Sequence, residues 1–508
     1  MNLAETITPA ERLRARTRAL FPPRIKPMSS HANEREIHHP CCGVSTDLED
    51  YFLTRRKFLG RVGMGLGALS LANIIDPSHL VAAQPNAKLP AGPLTPKPSH
   101  FPGKAKAVIH IFASGAPSHI DTWDPKPELT KMNGKTIGGQ DVALASPFMF
   151  SKYGKSGLEV SEVFAKTAAH ADDLAVIRSM YTDIPAHEVA TVFMNTGSVR
   201  IAKPSMGSWL VYGLGTENQN LPGFIALRGG GLPNGGAANY ASAFLPGVYQ
   251  GASINTQAPS VPQMIQNIRN VYVTKNEQRR QLDFVHQLND IHAKNLQRDA
   301  ALETRLESYE IAFRMQAESL DAFDINKESA DTRAAYGTSE QGKQLLIARR
   351  LVERGVRVVQ VWHTGWDHHQ QLQTRLTQKA REIDQPLAAL ISDLKQRGLL
   401  DSTLVIWGGE FGRKSTRDRN GYDDPGRDHN AKAFSVVMAG GGVKGGTIHG
   451  ATDEFGSAAV KDKVHPHDLH ATILHCMGMD HTKLTYRFNG RDFRLTDVAG
   501  NVVKPILA

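Results

Sequence analysis

The stretch VRVVQVWHTGWDHH (356–369) decides the fold. Its first seven residues are apolar apart from one Arg and one Gln and are rich in Val, the composition of a strand buried on both faces. Its last seven hold three histidines and an aspartate, the composition of a functional loop rather than of a core. Five other runs share the uninterrupted apolar character: AVIHIF (107–112), LAVIRSM (174–180), GFIAL (223–227), STLVIW (402–407) and FSVVMAG (434–440). Between them, SEQGKQLLIARRLVERG (339–355) and QTRLTQKAREIDQPLAALISDLKQRG (373–398) have helical spacing, and each closes on a Gly suited to a C-terminal cap. The alternation predicts an α/β domain: a mostly parallel sheet with helices on both faces.

The chain has 508 residues, 41% of them apolar, enough for one large α/β domain with an insertion. Its net charge of +9 includes Arg12, Arg14, Arg16 and Arg18 near the start, and no long basic run interleaved with aromatics follows, so nucleic-acid binding is not expected. TRRKFLG (54–60) precedes a weakly apolar, Gly- and Ala-rich run and then VAA (81–83), which has small residues where a leader would be cleaved. This order resembles a twin-arginine export signal. Residues 1–83 are therefore read as a leader that engages the twin-arginine export machinery, with a periplasmic or extracellular destination. Cys41 and Cys42 fall in that leader, which leaves Cys476 without a disulfide partner in the mature chain. Residues 84–103 read as a Pro-rich linker, and residues 104–508 as the folded domain without a membrane span. A charged helical insertion is expected over about 260–335, a surface available to a protein partner.

In open parallel sheets ligands bind beyond the carboxyl ends of the strands. Polar residues concentrate there: His119, Asp121 and Asp124; Thr182, Asp183 and His187; His363, Asp367, His368 and His369; Glu410 and Arg413; Asp428 and His429. His449, His465, His467 and His470 follow downstream. Carboxylates together with neutral imidazoles suit a divalent metal such as Zn, Mn or Fe. GGGVKG (440–445) fits the spacing of a dinucleotide-binding loop, but no helical pattern follows it, so it reads as a tight turn. Neither a P-loop nor a GxSxG elbow is present.

These motifs, in order, resemble those of the bacterial secreted family catalogued as domain of unknown function 1501: TRRKFL, SGAPSHIDTWDPKPEL, PSMGSWLVYGLG, HTGWDHH, DLKQRGLLDSTLVIWGGEFGR, GRDHN, GATDEFG and HDLHATILH. That family is in turn similar to the alkaline phosphatase and sulfatase superfamily, which implies an alkaline-phosphatase-like fold with metals at the strand ends and attack on a phosphate or sulfate ester. By position, the resemblance implies that Asp121 is a metal aspartate and that DIPAH (183–187) stands where phosphodiesterase members carry TFPNH. His187 then matches the histidine, Asp183 takes the nucleophile's place, and Thr182 lies one residue out of register. His363 and Asp367 keep the superfamily's four-residue spacing in reversed order, with His368 and His369 opening the next helix. Glu410 and His429 correspond to a later carboxylate and histidine pair, and His449 or His467 to the last histidine. The sulfatase motif CxPxR is absent, which argues against formylglycine chemistry.

The implied function is an exported, metal-dependent hydrolase acting on an anionic ester. Its metal ligands are drawn from Asp121, His363, Asp367, Glu410, His429 and His467, and the metal is Zn, Mn, Fe or Ca. Thr182, Asp183, His187 and Arg413 are the catalytic candidates: attack by Thr182, by Asp183 or by an activated water, with His187 or Arg413 stabilising anionic oxygens. The alternative is a non-catalytic binding or assembly protein that keeps the fold without the nucleophile.

Overall fold

The computed structural model describes residues 92–508 except 266–271, 296–299 and 421–422. Arg55, Arg56 and the rest of the expected leader, with Cys41 and Cys42, lie outside the described residues.

Eight strands build the central sheet: β1 (Ala107–Ser114), β2 (Leu174–Met180), β3 (Phe224–Arg228), β4 (Ala252–Asn255), β5 (Val358–Thr364), β6 (Thr403–Gly408), β7 (Phe434–Ala439) and β8 (Thr447–His449). Their spatial order is β8-β2-β7-β6-β1-β5-β3-β4. β1 lies between β5 and β6, parallel to both, with Ile111 opposite Val361 and Trp407. β7 is antiparallel to its neighbours β6 and β2, and the other pairings are parallel. The six strands expected from the sequence are all present. β4 and β8 escape that reading because edge strands of four and three residues are too short to leave a pattern.

Alternation along β1 shows why a continuous apolar run was needed. Ile109, Ile111 and Ala113 face one core, packed with residues of the helices Glu340–Glu353 and Leu372–Gln396. Val108 and Phe112 face a second core, shared with the helices Met206–Leu214 and Pro466–Cys476. Helices therefore cover both faces. The helix Glu340–Glu353 starts under the Ser339 hydroxyl, which accepts from Gly342 N at 3.0 Å. It ends as Val356 N donates to Leu351 O at 3.1 Å and Gly355 N to Val352 O at 2.9 Å. Leu399 and Gly398 close the helix Leu372–Gln396 in the same way, bonding Leu394 O and Lys395 O.

The described part of the Pro-rich stretch is docked rather than free. Leu94 is buried, Lys97 Nζ donates to Tyr212 O at 2.8 Å, and His100 N donates to Gly478 O at 2.9 Å. Prolines remove donors but leave carbonyls and intervening residues able to bind a surface. In the insertion, the helices Lys275–Asn295 and Ala300–Ala322 are joined by Arg279, 2.5 Å from Glu310. Met315 and Ala322 of the second helix are buried in the first core, so this helix docks on the domain. Gly440, Gly441 and Gly442 form the turn from β7 towards β8. Cys476 is buried and unpaired, and burial pushes its thiol up to about 12, which keeps it unreactive. Among the described residues no helix is long and apolar enough to cross a membrane.

Ile111→Ala, which empties a fully buried position on the central strand, should lower unfolding free energy by about 2–5 kcal/mol in chemical denaturation. Ile448→Ala, on the exposed edge strand β8, should change it by less than about 0.5 kcal/mol.

Candidate functional site

Because β1, β2, β5 and β6 are parallel, the loops that follow them emerge at one edge of the sheet. β7 runs the other way, so the loop that precedes it arrives at the same edge. Gly115 follows β1, His187 follows β2, residues 365–371 follow β5, and residues 409–433 run from β6 to β7.

Within 365–371 the side chains separate by chemistry. Trp366 is buried, 5.7 Å from the ring of Trp407 and 6.4 Å from that of Phe164. This anchor leaves Asp367 and His369 pointing outward. Asp367 Oδ1 then becomes a focus: His369 Nε2 lies at 2.9 Å, His187 Nε2 at 3.2 Å and His429 Nε2 at 3.5 Å, while Arg413 Nη2 stands at 2.5 Å. The Nε2 atoms of His369 and His429 are only 3.1 Å apart.

The far nitrogen of each imidazole has its own acceptor. His187 Nδ1 faces Glu410 Oε1 at 2.5 Å, His429 Nδ1 faces the Pro185 carbonyl at 2.8 Å, and His369 Nδ1 pairs with Asp418 Oδ2. In the neutral form each ring therefore carries its proton on Nδ1 and turns an Nε2 lone pair inward. His187 Nε2 is buried, 3.2 Å from Asp367 Oδ1. Burial alone would lower the His187 pKa, but the carboxylates of Asp367 and Glu410 outweigh it and raise the value to about 9. Asp367 is held far below the usual carboxylate range: burial opposes ionisation, and the neighbouring His187, His429 and Arg413 overcome it.

Arg413 is 1% exposed, so its charge must be matched inside the protein. Its guanidinium donates to Gly115 O at 2.6 Å, Ala116 O at 3.0 Å and Arg427 O at 3.1 Å as well as to Asp367. Arg427 and Asp121, both fully buried, form a two-pronged pair at 2.7 and 3.0 Å. That pair holds the loop that carries Asp428 and His429. Two glycines admit the close approach of backbone. A Cβ on Gly115 would stand 2.6 Å from Asp367 N, and one on Gly426 would stand 2.1 Å from His368 O.

Beside His429 opens a cleft of about 890 Å³ lined by Tyr181, Thr182, Asp183, Lys414, Lys432 and Lys463, among others. Thr182 is buried and its hydroxyl has no partner. Asp183 is 80% exposed at the rim, 3.5 Å from His465.

The structure thus brings Asp367, His187, His429, Glu410 and Arg413 together, with Glu410 reaching the cluster through His187 and through a 2.9 Å bond from Gly115 N. Thr182 and Asp183 line the adjoining cleft. Asp121 stands apart, engaged by Arg427. His363 points into the core, 3.1 Å from Glu382 and accepting from Trp366 Nε1 at 3.3 Å. His467 bonds Gly197 O at 3.1 Å, away from the cluster. His369 does not open the next helix, which begins only at Leu372 after Gln371 turns left-handed. Sequence reasoning missed His369 as a cluster member, and Asp418 and Arg427 as its supports. The alternation Asp367–His369 around an inward His368 was the available signal. Metal-competent side chains fall into two adjoining sets, His187 with Asp367 and His429, and His369 with Asp418 and Asp428.

Arg427→Met should lower unfolding free energy by about 3–5 kcal/mol, since it leaves the Asp121 carboxylate buried without its cation, and denaturant titration checks this. The His187 proton gives a second expectation for metal-free protein. Its folded pKa lies above the unfolded value, so the stabilisation is complete below about pH 6.5 and is lost as pH rises through about 9. Glu410→Gln should flatten that decline in a series of denaturation curves.

No curated protein matches the chain in sequence. In structure, the chain is similar at low identity to the sulfatase PsFucS1 from Pseudoalteromonas sp. (12% identity, 73% of this chain and 68% of that one, TM-score 0.33). Similar relations hold to the alkaline phosphatase of the Antarctic bacterium TAB5 (10%, 74% and 98%, 0.32) and to the lipoteichoic acid synthase LtaP of Listeria monocytogenes (10%, 79% and 78%, 0.31). Residues 105–507 match the family described as Protein of unknown function (DUF1501), and the chain belongs to that family.

Proposed function

We propose that the protein is an exported, metal-dependent hydrolase of phosphate or sulfate esters, not of the formylglycine type. The observation that carries this reading is the convergence of three imidazole Nε2 atoms on one carboxylate oxygen, each ring held from behind by an acceptor. Outer acceptors of this kind orient metal-binding histidines and fix their tautomer. His187, His369, His429 and Asp367 would hold the ion. Three nitrogens with one oxygen favour Zn, Mn or Fe over Ca, which prefers oxygen ligands. Such an ion supplies Lewis acidity towards an ester oxygen and makes water acidic near neutral pH.

The chain's own residues account for the rest. Arg413 fixes the Asp367 carboxylate and is too enclosed to meet a substrate, so it is a positioning residue. Glu410 keeps the His187 ring in place and draws its Nδ1 proton away from the cluster. The unpartnered Thr182 hydroxyl suits an anionic oxygen in the cleft, either as donor or as nucleophile. Asp183, exposed at the rim, is less suited to attack a group seated beside His429.

Elemental analysis of mature protein should find stoichiometric metal, retained in His363→Gln and lost in His187→Ala and His369→Ala. Asp418→Asn should weaken the metal about 10–100-fold, the usual effect of removing an outer partner. Native protein should hydrolyse at least one ester in a panel of aryl phosphates, phosphodiesters and sulfates, and Thr182→Val should lower that rate. Protein without metal at these residues would sink the site. A full complement of metal with no turnover on any ester would leave a binding protein that keeps the fold.

A further inference from the structure

The cleft beside His429 is larger than one phosphate or sulfate group needs, and its lining is of two kinds. Ile137, Tyr181 and Phe455 offer apolar or aromatic surface, whereas Lys414, Lys432 and Lys463 offer cations. The cations are not equivalent. Lys414 is spoken for by Asp428 at 2.6 Å, and the lining carboxylate of Asp141 by Arg419 at 2.6 Å. Lys432 and Lys463 have no ion-pair partner among the described residues and are exposed to solvent at the cleft.

Backbone bonds fix where these lysines stand. Thr182 N donates to Ala431 O at 2.8 Å, Tyr181 N to Val464 O at 3.0 Å, and Ala459 N to Lys432 O at 2.9 Å. Three chain segments are thereby knitted side by side, with Thr182 in the middle, Lys432 following its partner on one side and Lys463 preceding its neighbour's partner on the other. Lys432 and Lys463 thus flank the segment that carries Tyr181 and Thr182.

We infer that the cleft selects an ester with two anionic groups on an apolar or aromatic body. The reacting group lies at the imidazole end, the body lies against Tyr181 and Phe455, and the second anion sits on Lys432 and Lys463. The assignment of the first group rests on the proposed hydrolase function. The second subsite stands on the cleft alone.

The test is calorimetric binding of phenyl phosphate and of 4-carboxyphenyl phosphate to mature full-length protein, with turnover of both recorded in parallel. Native protein should bind the carboxylated ester about fivefold or more tightly than phenyl phosphate, the scale of one added ion contact at a wet surface. Lys432→Met and Lys463→Met, both at exposed positions, should each remove most of that preference while changing phenyl phosphate affinity less than twofold. Unchanged melting temperatures would show that the variants fold. Equal affinity for the two esters, or a preference that survives both lysine substitutions, would overturn the inference. A lysine-dependent preference without turnover here or on any ester of the wider panel would uphold the subsite and overturn the hydrolase reading, and turnover without preference would do the reverse.

Discussion

A guanidinium enclosed by protein must find acceptors there, and the candidate site is arranged around that requirement. Arg413 reaches the carbonyls of Gly115, Ala116 and Arg427 and the carboxylate of Asp367, which belong to three separate loops. Stripped of water, the charge is tolerable only when all of these are in place, so it fixes the loops relative to one another more firmly than apolar contact would. The three histidines then approach a carboxylate whose position is already determined. Arg427 and Asp121 repeat the arrangement one layer further in.

Much of this architecture was readable from residue patterns because it rests on patterns. Strands buried on both faces must be continuously apolar, and AVIHIF, VRVVQVW and STLVIW could be little else. The parallel sheet followed from their alternation with helices, and the sheet's edge then named the loops. The membership of the site was harder to read. Asp121 and Asp367 look alike in sequence, each an acidic residue shortly after a strand. What separates them is Arg427, 306 positions from Asp121 in the chain, which claims both oxygens of that carboxylate, whereas Asp367 shares one oxygen between Arg413 and the imidazoles. His363 and His369 differ in the same hidden way. Trp366 packs inward, and the backbone around it sends His363 to Glu382 and His369 to Asp418. Spacing along the chain carries no record of such choices, because they are made by tertiary partners.

The cluster also shows a competition between a proton and a cation for the same lone pair. Without an ion, the carboxylates of Asp367 and Glu410 favour a charged His187, which serves as the positive centre their own charges require. An ion placed there would take over that role and release the proton, so occupancy and pH are linked through one ring.

The reversal of β7 bears on how the molecule comes together. Had β7 run with its neighbours, His429 would have emerged at the opposite edge of the sheet; turning it back delivers the last histidine to a place shaped by loops far earlier in the chain. Contacts of such separation, like those between β1 and β6, need distant parts of the chain to be in place together. A ligand that needs all four cluster residues therefore meets only finished molecules, and its binding free energy is added to the completed fold and withheld from partly folded forms.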